Sequence, residues 1–310
     1  MRADHGKVVV VGSLNMDIVV QSSRFPESGE TLFGREVHFI PGGKGGNQAV
    51  ACARLGHDTV MLGAVGEDSF GKSLIASLQA SNVSTEHMKQ TNVAATGIAS
   101  ITLTPDDNTI LVVPGANGSL TAEDIRAWSS VIAEASMVLV QLEIPMEAVA
   151  AAVDIADQHG IPVILNPAPA CDIPDHILRK VRYITPNQTE LRAITGIDPS
   201  DAGLESAMDA LLEQGPEVVI ATLGSKGAAW KKKGGSLQHM AAHRLEVVDT
   251  TGAGDAFNAG LACALSKNLE IETSVRFAVA VSALAVTKFG AQDGMPVKED
   301  VDRFLLQSTR

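Results

Sequence analysis

The amino-acid sequence predicts an α/β protein with a doubly wound, mainly parallel sheet and a small β-sheet lid. The first observation is that short unbroken runs of Val, Ile and Leu alternate with helix-like stretches through most of the chain. Strands of a parallel sheet are buried on both faces and therefore give such unbroken apolar runs. The second observation is that two segments, 17–40 and 96–117, break the alternation and look like strand–turn–strand pieces. Hairpins inserted into a doubly wound sheet are expected to form a separate small sheet.

The strands of the main sheet are predicted where an apolar run ends in a polar or glycine-containing turn. In chain order they cover residues 7–14, 59–66, 137–143, 162–169, 182–187 and 217–224. Helices are predicted between them, over residues 47–57, 146–160, 188–196 and 201–215. Gly56 is placed to end the first of these helices. A further helix over 121–130 opens with Thr121 and Asp124, which are spaced nearly as in a capping box.

The two lid segments have polar turns, of which the Pro-Asp-Asp-Asn turn at 105–108 is the clearest. A small sheet of this kind can lie over the C-terminal ends of the main strands, where ligands bind in open α/β folds. We therefore interpret residues 1–310 as one α/β domain with lid strands inserted at about 17–40 and 96–117. The lysine-rich turn at 231–235 is interpreted as a solvated hairpin tip.

The composition excludes several classes of partner. Hydrophobic residues make up 45% of the chain and the formal net charge is −12, so neither a nucleic acid nor an anionic membrane is an expected partner. The cysteines, Cys52, Cys171 and Cys263, form no CxxC pair and are interpreted as buried thiols in a reducing compartment. The sequence shows neither a signal peptide nor a stretch long enough to span a membrane, so a cytoplasmic protein is expected.

The stretch DTTGAGD, from Asp249 to Asp255, stands at the start of a predicted buried helix. Glycines there let several backbone N–H groups converge at the positive end of the helix dipole, which makes an anion site. A carboxylate beside such a site suits a base that takes a proton from a hydroxyl attacking a phosphoryl group. We predict Asp255 as this base and the amides of Gly252, Ala253 and Gly254 as the anion hole. The alternative is that Asp255 only caps the helix and the glycines only make a turn.

Two further motifs suit a polyhydroxy ligand. Residues 42–46 read GGKGG and match neither a Walker A loop nor a GxGxxG fingerprint, but they allow the backbone to approach a ligand closely. Asn47 then either hydrogen-bonds to ligand hydroxyls or merely caps the helix. Asn15 and Asp17 follow the first strand two residues apart, so their side chains point the same way if the chain stays extended. The alternative for this pair is an ordinary polar loop.

Polar residues also end other strands. Glu143 ends one strand, and Asn187 and Glu190 lie one helical turn apart at the start of a helix. Their oxygens suit a hydrated Mg²⁺ bound through water, whereas Glu190 is equally well placed as the third residue of a helix cap. The turn at 222–227 either contacts phosphate or is a plain hairpin turn.

Taken together, the ordered motifs GSLNMD, GGKGGNQA, NPAPA, TPNQTE, TLGSKG, DTTGAGDAF and AVTKFGAQ resemble those of the PfkB family of carbohydrate kinases. The resemblance covers nearly the whole chain, and the motifs are specific as an ordered set. It implies an α/β domain with a β lid and ATP-dependent phosphorylation of a sugar hydroxymethyl group. The resemblance is greatest to the ribose-phosphorylating members, so it implies D-ribose as the substrate and ribose 5-phosphate as the product.

The resemblance also implies roles for single residues. Asp255 matches the catalytic base, and Gly252, Ala253 and Gly254 match the anion hole. The implied sugar-binding positions are Asn15, Asp17, Gly43, Lys44, Asn47, Glu143 and Asp255. The implied nucleotide-binding positions are Asn187, Thr222, Gly224, Ser225, Gly227, Gly254 and Val279. The implied metal positions are Glu190 for Mg²⁺ through water and, for a monovalent cation expected to be K⁺, Asp249, Thr251, Ala285, Lys288, Gly290 and Gly294.

Three positions depart from the family pattern. Gly46 stands where many members carry Ala, and Gly294 stands where a Ser is common among the cation ligands. Val279 is apolar at a position that is often polar near the adenine.

The same residues are also compatible with other functions. One is a kinase for another sugar or nucleoside, such as deoxyribose, fructose or adenosine, although Asn15 and Asp17 favour adjacent hydroxyls and so disfavour deoxyribose. Another is a non-catalytic sugar or nucleotide sensor, which would have no need of the base Asp255. Unpaired strand edges in the lid predict a homodimer through the lid.

Overall fold

The computed structural model describes residues 6–200 and 202–308. Its strands are β1 Val8–Val11, β2 Asn15–Gln21, β3 Glu36–Gly42, β4 Thr59–Leu62, β5 Ala64–Gly66, β6 Val83–Ser84, β7 Lys89–Thr91, β8 Gly97–Leu103, β9 Asn108–Val113, β10 Met137–Gln141, β11 Val163–Asn166, β12 Tyr183–Ile184, β13 Val218–Thr222, β14 Ala228–Lys232 and β15 Gln238–Met240. Its α-helices are α1 Lys44–Arg54, α2 Ser69–Ala80, α3 Ala122–Ala127, α4 Ser129–Ala133, α5 Met146–Gln158, α6 Asp175–Leu178, α7 Gln188–Thr195, α8 Leu204–Glu213, α9 Ala253–Leu265, α10 Ile271–Ala285, α11 Ala291–Gly294 and α12 Lys298–Ser308. The chain ends and the predicted helix start at 201 lie outside the described residues.

The main sheet has nine strands in the order β15-β14-β13-β12-β11-β10-β1-β4-β6. Neighbouring strands in this sheet are parallel except at one edge, where β14 pairs antiparallel with both β13 and β15. After β1 the chain first adds β4 and β6 on one side of it and then adds β10 to β13 on the other side. The direction of winding therefore reverses at β1, as in a doubly wound fold. The predicted α/β class with a mainly parallel sheet is confirmed.

Helices cover both faces of the main sheet because each central strand is apolar on both sides. Val8 and Val10 pack into the layer that contains α1, α2, α9 and α10, whereas Val9 and Val11 pack into the layer of α3, α5 and α8. This division follows from the alternation of side chains along a strand. The unbroken valine run that predicted β1 therefore reflects two separate cores.

The segments predicted as lid strands form a second, four-stranded sheet in the order β3-β2-β8-β9. Strands β2 and β8 are parallel, and the two outer pairs are antiparallel. The sheet joins the main body at four places, before β2, after β3, before β8 and after β9. It thus stands next to the carboxyl end of β1, from which β2 leaves after the short connection 12–14.

Several local predictions are confirmed. Thr121 and Asp124 form a complete capping box at α3. Gly56 follows the end of α1 with a φ of 86°. The interpretation of 231–235 as a solvated hairpin tip is wrong for Lys231, which lies in β14, is buried and pairs with Glu205 and Asp209; the rest of the segment leads into the turn between β14 and β15.

In the described residues, no helix is long and apolar enough to cross a membrane.

Other local predictions were wrong. Helix α1 begins at Lys44 rather than near Asn47, because Gly43 adopts a φ of 85° as the N-cap and the next glycines already form the first helical turn. The single strand predicted over 59–66 is two strands that belong to different sheets. Cys171 is exposed, not buried, because it lies in the irregular segment after β11.

Candidate active site

The N-termini of α1 and α9 lie at the carboxyl ends of the main strands, and the two helices pack against each other. Each helix starts directly after a glycine in a backbone conformation that L residues avoid, with a φ of 85° at Gly43 and 79° at Gly252. The amide of Ala253, which was predicted as part of the anion hole, donates instead to the carbonyl of Thr250 at 3.2 Å. Within the described residues, the amides of Gly254 and Asp255 have no acceptor. The positive end of α9 is thus open to an anion.

The carboxylate of Asp255 is buried at this helix start and accepts two side-chain hydrogen bonds. Nδ2 of Asn47 donates to Oδ2 at 2.9 Å, and Nε2 of Gln48 donates to Oδ1 at 3.0 Å. Asp255 does not cap its own helix, because the N-cap is Gly252 and makes no side-chain cap bond. The helix-cap alternative for Asp255 is therefore wrong, and both donors come from α1 instead.

Sequence reasoning missed the amides that orient these donors. Gln141, at the end of β10, donates from Nε2 to Oε1 of Gln48 at 2.6 Å. Nε2 of Gln48 also donates to Oδ1 of Asn166 at 3.2 Å, and Asn166 ends β11. Gln48 and Gln141 are completely buried. Their positions could have indicated them. Gln141 and Asn166 each end an apolar strand, and Gln48 directly follows Asn47, a predicted ligand in α1.

Asn47 does not cap α1, because it lies one turn inside the helix and its amide donates to the carbonyl of Gly43. With Nδ2 committed to Asp255, Oδ1 of Asn47 is buried and has no partner among the described residues. A buried acceptor without a donor is costly. The atom is therefore suited to accept a hydrogen bond from a ligand hydroxyl beside Asp255.

Asn15 and Asp17 lie on the same side of β2, as predicted from their spacing, and the segment is a strand rather than a loop. A Cβ on Gly42, across the sheet on β3, would lie 2.4 Å from Oδ2 of Asp17. A Cβ on Gly43 would lie 2.6 Å from the backbone nitrogen of Asn15. The glycines thus allow the start of α1 to approach the polar residues of β2.

Charges converge on Lys44, the first residue of α1. Burial lowers the pKa of Lys44, but the negative charges of Asp255, Glu143, Glu190 and Asp17 outweigh burial and raise the pKa above its usual value.

The carboxylates of the site are shifted as well. Burial, followed by the charges of Glu143 and Asp255, raises the pKa of Asp17 from 3.8 to about 7. Burial also raises the pKa of Asp255, while Lys44, Asn47 and Gln48 oppose the rise. The site therefore keeps one cation among several carboxylates.

Glu143 follows β10 and bridges the two chain segments that frame the site. Its Oε2 accepts from Oγ of Ser13 at 2.5 Å and from the backbone amide of Lys44 at 3.3 Å. The acid therefore sits at the positive N-terminus of α1.

Asn187 and Glu190 form a complete capping box at the start of α7, and both oxygens of Glu190 accept from Asn187. The interpretation of Glu190 as the third residue of a helix cap is therefore confirmed. Its oxygens keep further lone pairs for a water that binds a metal. Burial raises the pKa of Glu190.

The predicted phosphate turn lies between β13 and β14, beside α7. Thr222 forms a bridge with Asn187, and residues Gly224–Lys226 form one 3₁₀ turn. Gly224 has a φ of 58°, and a Cβ there would have open space around it. Val279 is buried on α10, so it presents little surface to a ligand.

The predicted monovalent-cation positions cluster around Asp249 and Gly294. Asp249 accepts from the amides of Thr251 and Gly290, both at 2.9 Å. A Cβ on Gly294 would lie 2.6 Å from the carbonyl oxygen of Ala285 and 3.7 Å from that of Lys288. The two carbonyl oxygens thus lie near one point, which suits a cation, whereas a serine at this position would bring its Cβ too close to the carbonyl of Ala285. In residues 6–200 and 202–308, no group of three or more His, Cys, Asp or Glu residues is arranged to hold a metal.

The chain is similar over nearly its whole length to known proteins. The family model described as pfkB family carbohydrate kinase matches residues 5–298. The ribokinase of Lactococcus lactis subsp. lactis is 41% identical over 95% of both chains, and that of Bacillus subtilis is 38% identical over 96% of this chain and 99% of its own. The deoxyribokinase of Salmonella typhimurium is 34% identical over 96% and 98%. The structure of Arabidopsis thaliana ribokinase complexed with ribose and ATP has a TM-score of 0.91 at 33% identity, with 97% and 98% of the chains covered.

Proposed function

Because the chain belongs to the pfkB family of carbohydrate kinases, we propose that it transfers the γ-phosphoryl group of ATP to the 5-hydroxyl group of D-ribose. It is a sugar kinase, and relatives named ribokinase at 41% and 38% identity support ribose as the sugar. The observation that carries the proposal is the buried carboxylate of Asp255, which Asn47 and Gln48 hold at the open N-terminus of α9.

Asp255 takes the proton of the attacking hydroxyl as the oxygen approaches the phosphorus. A raised pKa makes this carboxylate a better proton acceptor, while Lys44 and the side-chain amides of Asn47 and Gln48 stabilise its ionised form. The free amides of Gly254 and Asp255, together with the dipole of α9, stabilise the charge on the transferring phosphoryl group. Gly252 supplies the left-handed turn that exposes these amides.

The ribose hydroxyls bind between β2 and α1. Asp17 accepts hydrogen bonds from hydroxyls, Oδ1 of Asn47 accepts one more, and Asn15 completes the set. The four-stranded sheet acts as a lid that excludes water, which would otherwise take the phosphoryl group.

The nucleotide binds along the start of α7 and the turn after β13. Asn187, Thr222, Gly224, Ser225 and Gly227 contact its phosphates, and the region beside Val279 on α10 faces the adenine. Glu190 would hold Mg²⁺ through water, and the ion would supply positive charge beside the phosphates, as phosphoryl transfer requires.

The carbonyls of Ala285 and Lys288 and the segment around Asp249 would hold a monovalent cation, K⁺, beside the anion hole. The proximity of these two carbonyls to Gly294 supports the site. Backbone carbonyls suit K⁺, and with Gly294 in place of a serine the site would have one side-chain ligand fewer.

The function is tested by measuring ADP formation with ribose, 2-deoxyribose, fructose and adenosine, with and without Mg²⁺ and K⁺. We expect turnover with ribose that requires Mg²⁺ and rises with K⁺. Turnover only with 2-deoxyribose, as the similarity to deoxyribokinases allows, would keep the mechanism and change the substrate. Thermal stabilisation by a sugar without any turnover would contradict the kinase and favour a sensor.

The ribose KM is expected to depend on pH through Asp17. Because the pKa of Asp17 is about 7, this side chain becomes protonated as the pH falls below neutral, and the oxygen that carries the proton is then a poorer acceptor for hydroxyl hydrogen bonds. If only the ionised form binds, KM rises up to about tenfold per pH unit below the pKa. Initial rates between pH 6 and 8.5 measure this, with KM separated from kcat. The Asp17→Asn variant should have a high KM that does not change with pH, and a flat wild-type KM would contradict the assignment.

We also propose that the protein is a homodimer through the lid. All residues of the edge strand β9 are exposed, including Ile110, Leu111 and Val112. An uncovered apolar edge strand invites pairing, and a second copy of the chain would cover it. Sedimentation analysis should show a dimer for the wild type and a monomer for Leu111→Lys. The matched control is Leu306→Lys, at a leucine that is 72% exposed on α12, compared with 68% for Leu111. A monomeric wild type, or a dimeric Leu111→Lys variant, would contradict the lid interface.

A further inference from the structure

Asn117 is a buried side chain at the point where the chain leaves the small sheet. It lies in the 3₁₀ turn Gly115–Ser119, directly after β9, and is 1% exposed. Its Oδ1 accepts from the backbone nitrogen of Leu14 at 2.9 Å, and its Nδ2 donates to the carbonyl oxygen of Leu14 at 2.9 Å. Nδ2 also donates to Oδ1 of Asn15 at 2.9 Å. One carboxamide thus holds the start of β2.

These contacts fix the orientation of two amides. The backbone nitrogen of Leu14 is only a donor and its carbonyl only an acceptor, so the oxygen and nitrogen of Asn117 cannot be exchanged. Because Nδ2 of Asn117 also faces Asn15, the atom of Asn15 that meets it must be the oxygen. Nδ2 of Asn15 is then the atom left for a ligand, and it has no partner in the described part of the chain.

Asn117 also lies where the small sheet joins the main body. A Cβ on Gly97, the first residue of β8, would lie 2.4 Å from both Nδ2 of Asn117 and Oδ1 of Asn15. Gly115 adopts a φ of 52°, and a Cβ there would lie 2.9 Å from the nitrogen of Gly97. The connections before β2, before β8 and after β9 therefore pack together around one buried amide.

We propose that Asn117 is a positioning residue for sugar recognition, which rests on the ribose kinase function proposed above. It holds the carboxamide of Asn15 so that Nδ2 donates a hydrogen bond to a ring hydroxyl oxygen of the sugar. A sugar that lacks this hydroxyl leaves the donor unpaired and is rejected. Asn117 touches no reacting atom, and it acts through Asn15.

The test is the Asn117→Asp variant, which keeps the size of the side chain but removes its donor. The carboxylate still accepts from the amide of Leu14, but it faces the oxygens of Leu14 and Asn15 without a proton to offer. Asn15 is expected to turn so that its Nδ2 donates to Asp, which presents its oxygen to the sugar. We measure kcat/KM for ribose, 2-deoxyribose and 3-deoxyribose, and the KM for ATP.

We expect the preference for ribose over at least one of the two deoxy sugars to fall by about tenfold or more, the order of one lost hydrogen bond, while the KM for ATP is unchanged. In an Asn15→Ala background, the same change at 117 should no longer alter the preference, since effects that act through one partner are not additive. The matched control is Asn82→Asp, an exposed Asn after α2, which should leave every ratio unchanged.

Unchanged preferences for both deoxy sugars in folded Asn117→Asp protein would overturn the proposal, and so would an equal effect in the Asn15→Ala background. If the variant does not fold, Asn117→Ser replaces it, because its short hydroxyl leaves Asn15 free to turn and the same loss of preference is expected. Failure of the proposed function gives a different result, since wild-type protein would then phosphorylate none of the three sugars.

Discussion

The Asp255→Asn variant is expected to lose turnover by about 10²–10⁴-fold, the usual contribution of a general base. An amide cannot take the proton of the attacking hydroxyl. Its nitrogen would also face Nδ2 of Asn47 or Nε2 of Gln48, so a hydrogen bond that now holds the base becomes a contact between two donors. The measurement is kcat for ribose phosphorylation at saturating ATP, together with ribose affinity by calorimetry.

Ribose and ATP should still bind to this variant, because the loss is in the chemical step. The matched control is Asp106→Asn, an exposed acid in the turn between β8 and β9, which should keep wild-type kcat. If the Asp255→Asn variant retained most of its turnover, Asp255 would not be the general base. The anion hole alone would then have to carry the reaction.

The central strands of the main sheet can be predicted from the sequence because each buried strand produces a local signal. The valines of β1 fill cores on both sides of the sheet, so the run is unbroken and easy to find. Capping boxes are also local, which is why Thr121 with Asp124 was identified and Glu190 was recognised as a possible cap residue. The start of α1 was missed because a glycine run usually signals a loop, and only the positive φ of Gly43 shows where the helix begins.

The partners of the amides that support the site could not be predicted because they are distant along the chain. Gln141 and Gln48 are separated by 93 residues, and Asn117 and Leu14 by 103. The position of Gln141 at the end of an apolar strand marks it as a candidate, but nothing near Gln141 or Asn117 in sequence shows which distant group each will contact. The role of Asp255, by contrast, is predicted by the motif that contains it, although its two donors, Asn47 and Gln48, lie 208 and 207 residues away along the chain.

The Gly45→Ala variant is expected to lose both stability and activity, whereas Gly46→Ala should lose neither. A Cβ on Gly45 would lie 2.7 Å from backbone atoms of Gly12 and Ser13 and 2.8 Å from Cε of Met61. Backbone atoms cannot move aside as a flexible side chain can, so the start of α1 must shift. Overpacking of this kind costs about 1–3 kcal/mol. A shift of Lys44 and Asn47 by 1 Å can lower turnover by about 10²-fold.

Gly46 is the matched control, since it is the next residue of the same helical turn. A Cβ there would lie 3.4 Å from Nε2 of Gln292 and 3.7 Å from Leu14, which is ordinary contact. Alanine in a helix is favoured over glycine by about 0.5–1 kcal/mol, so Gly46→Ala should be slightly more stable and fully active. Chemical denaturation and kcat/KM for ribose measure both effects. Equal behaviour of the two variants would show that α1 does not depend on its close approach to the segment after β1, and the position of Asn47 beside Asp255 would need another cause.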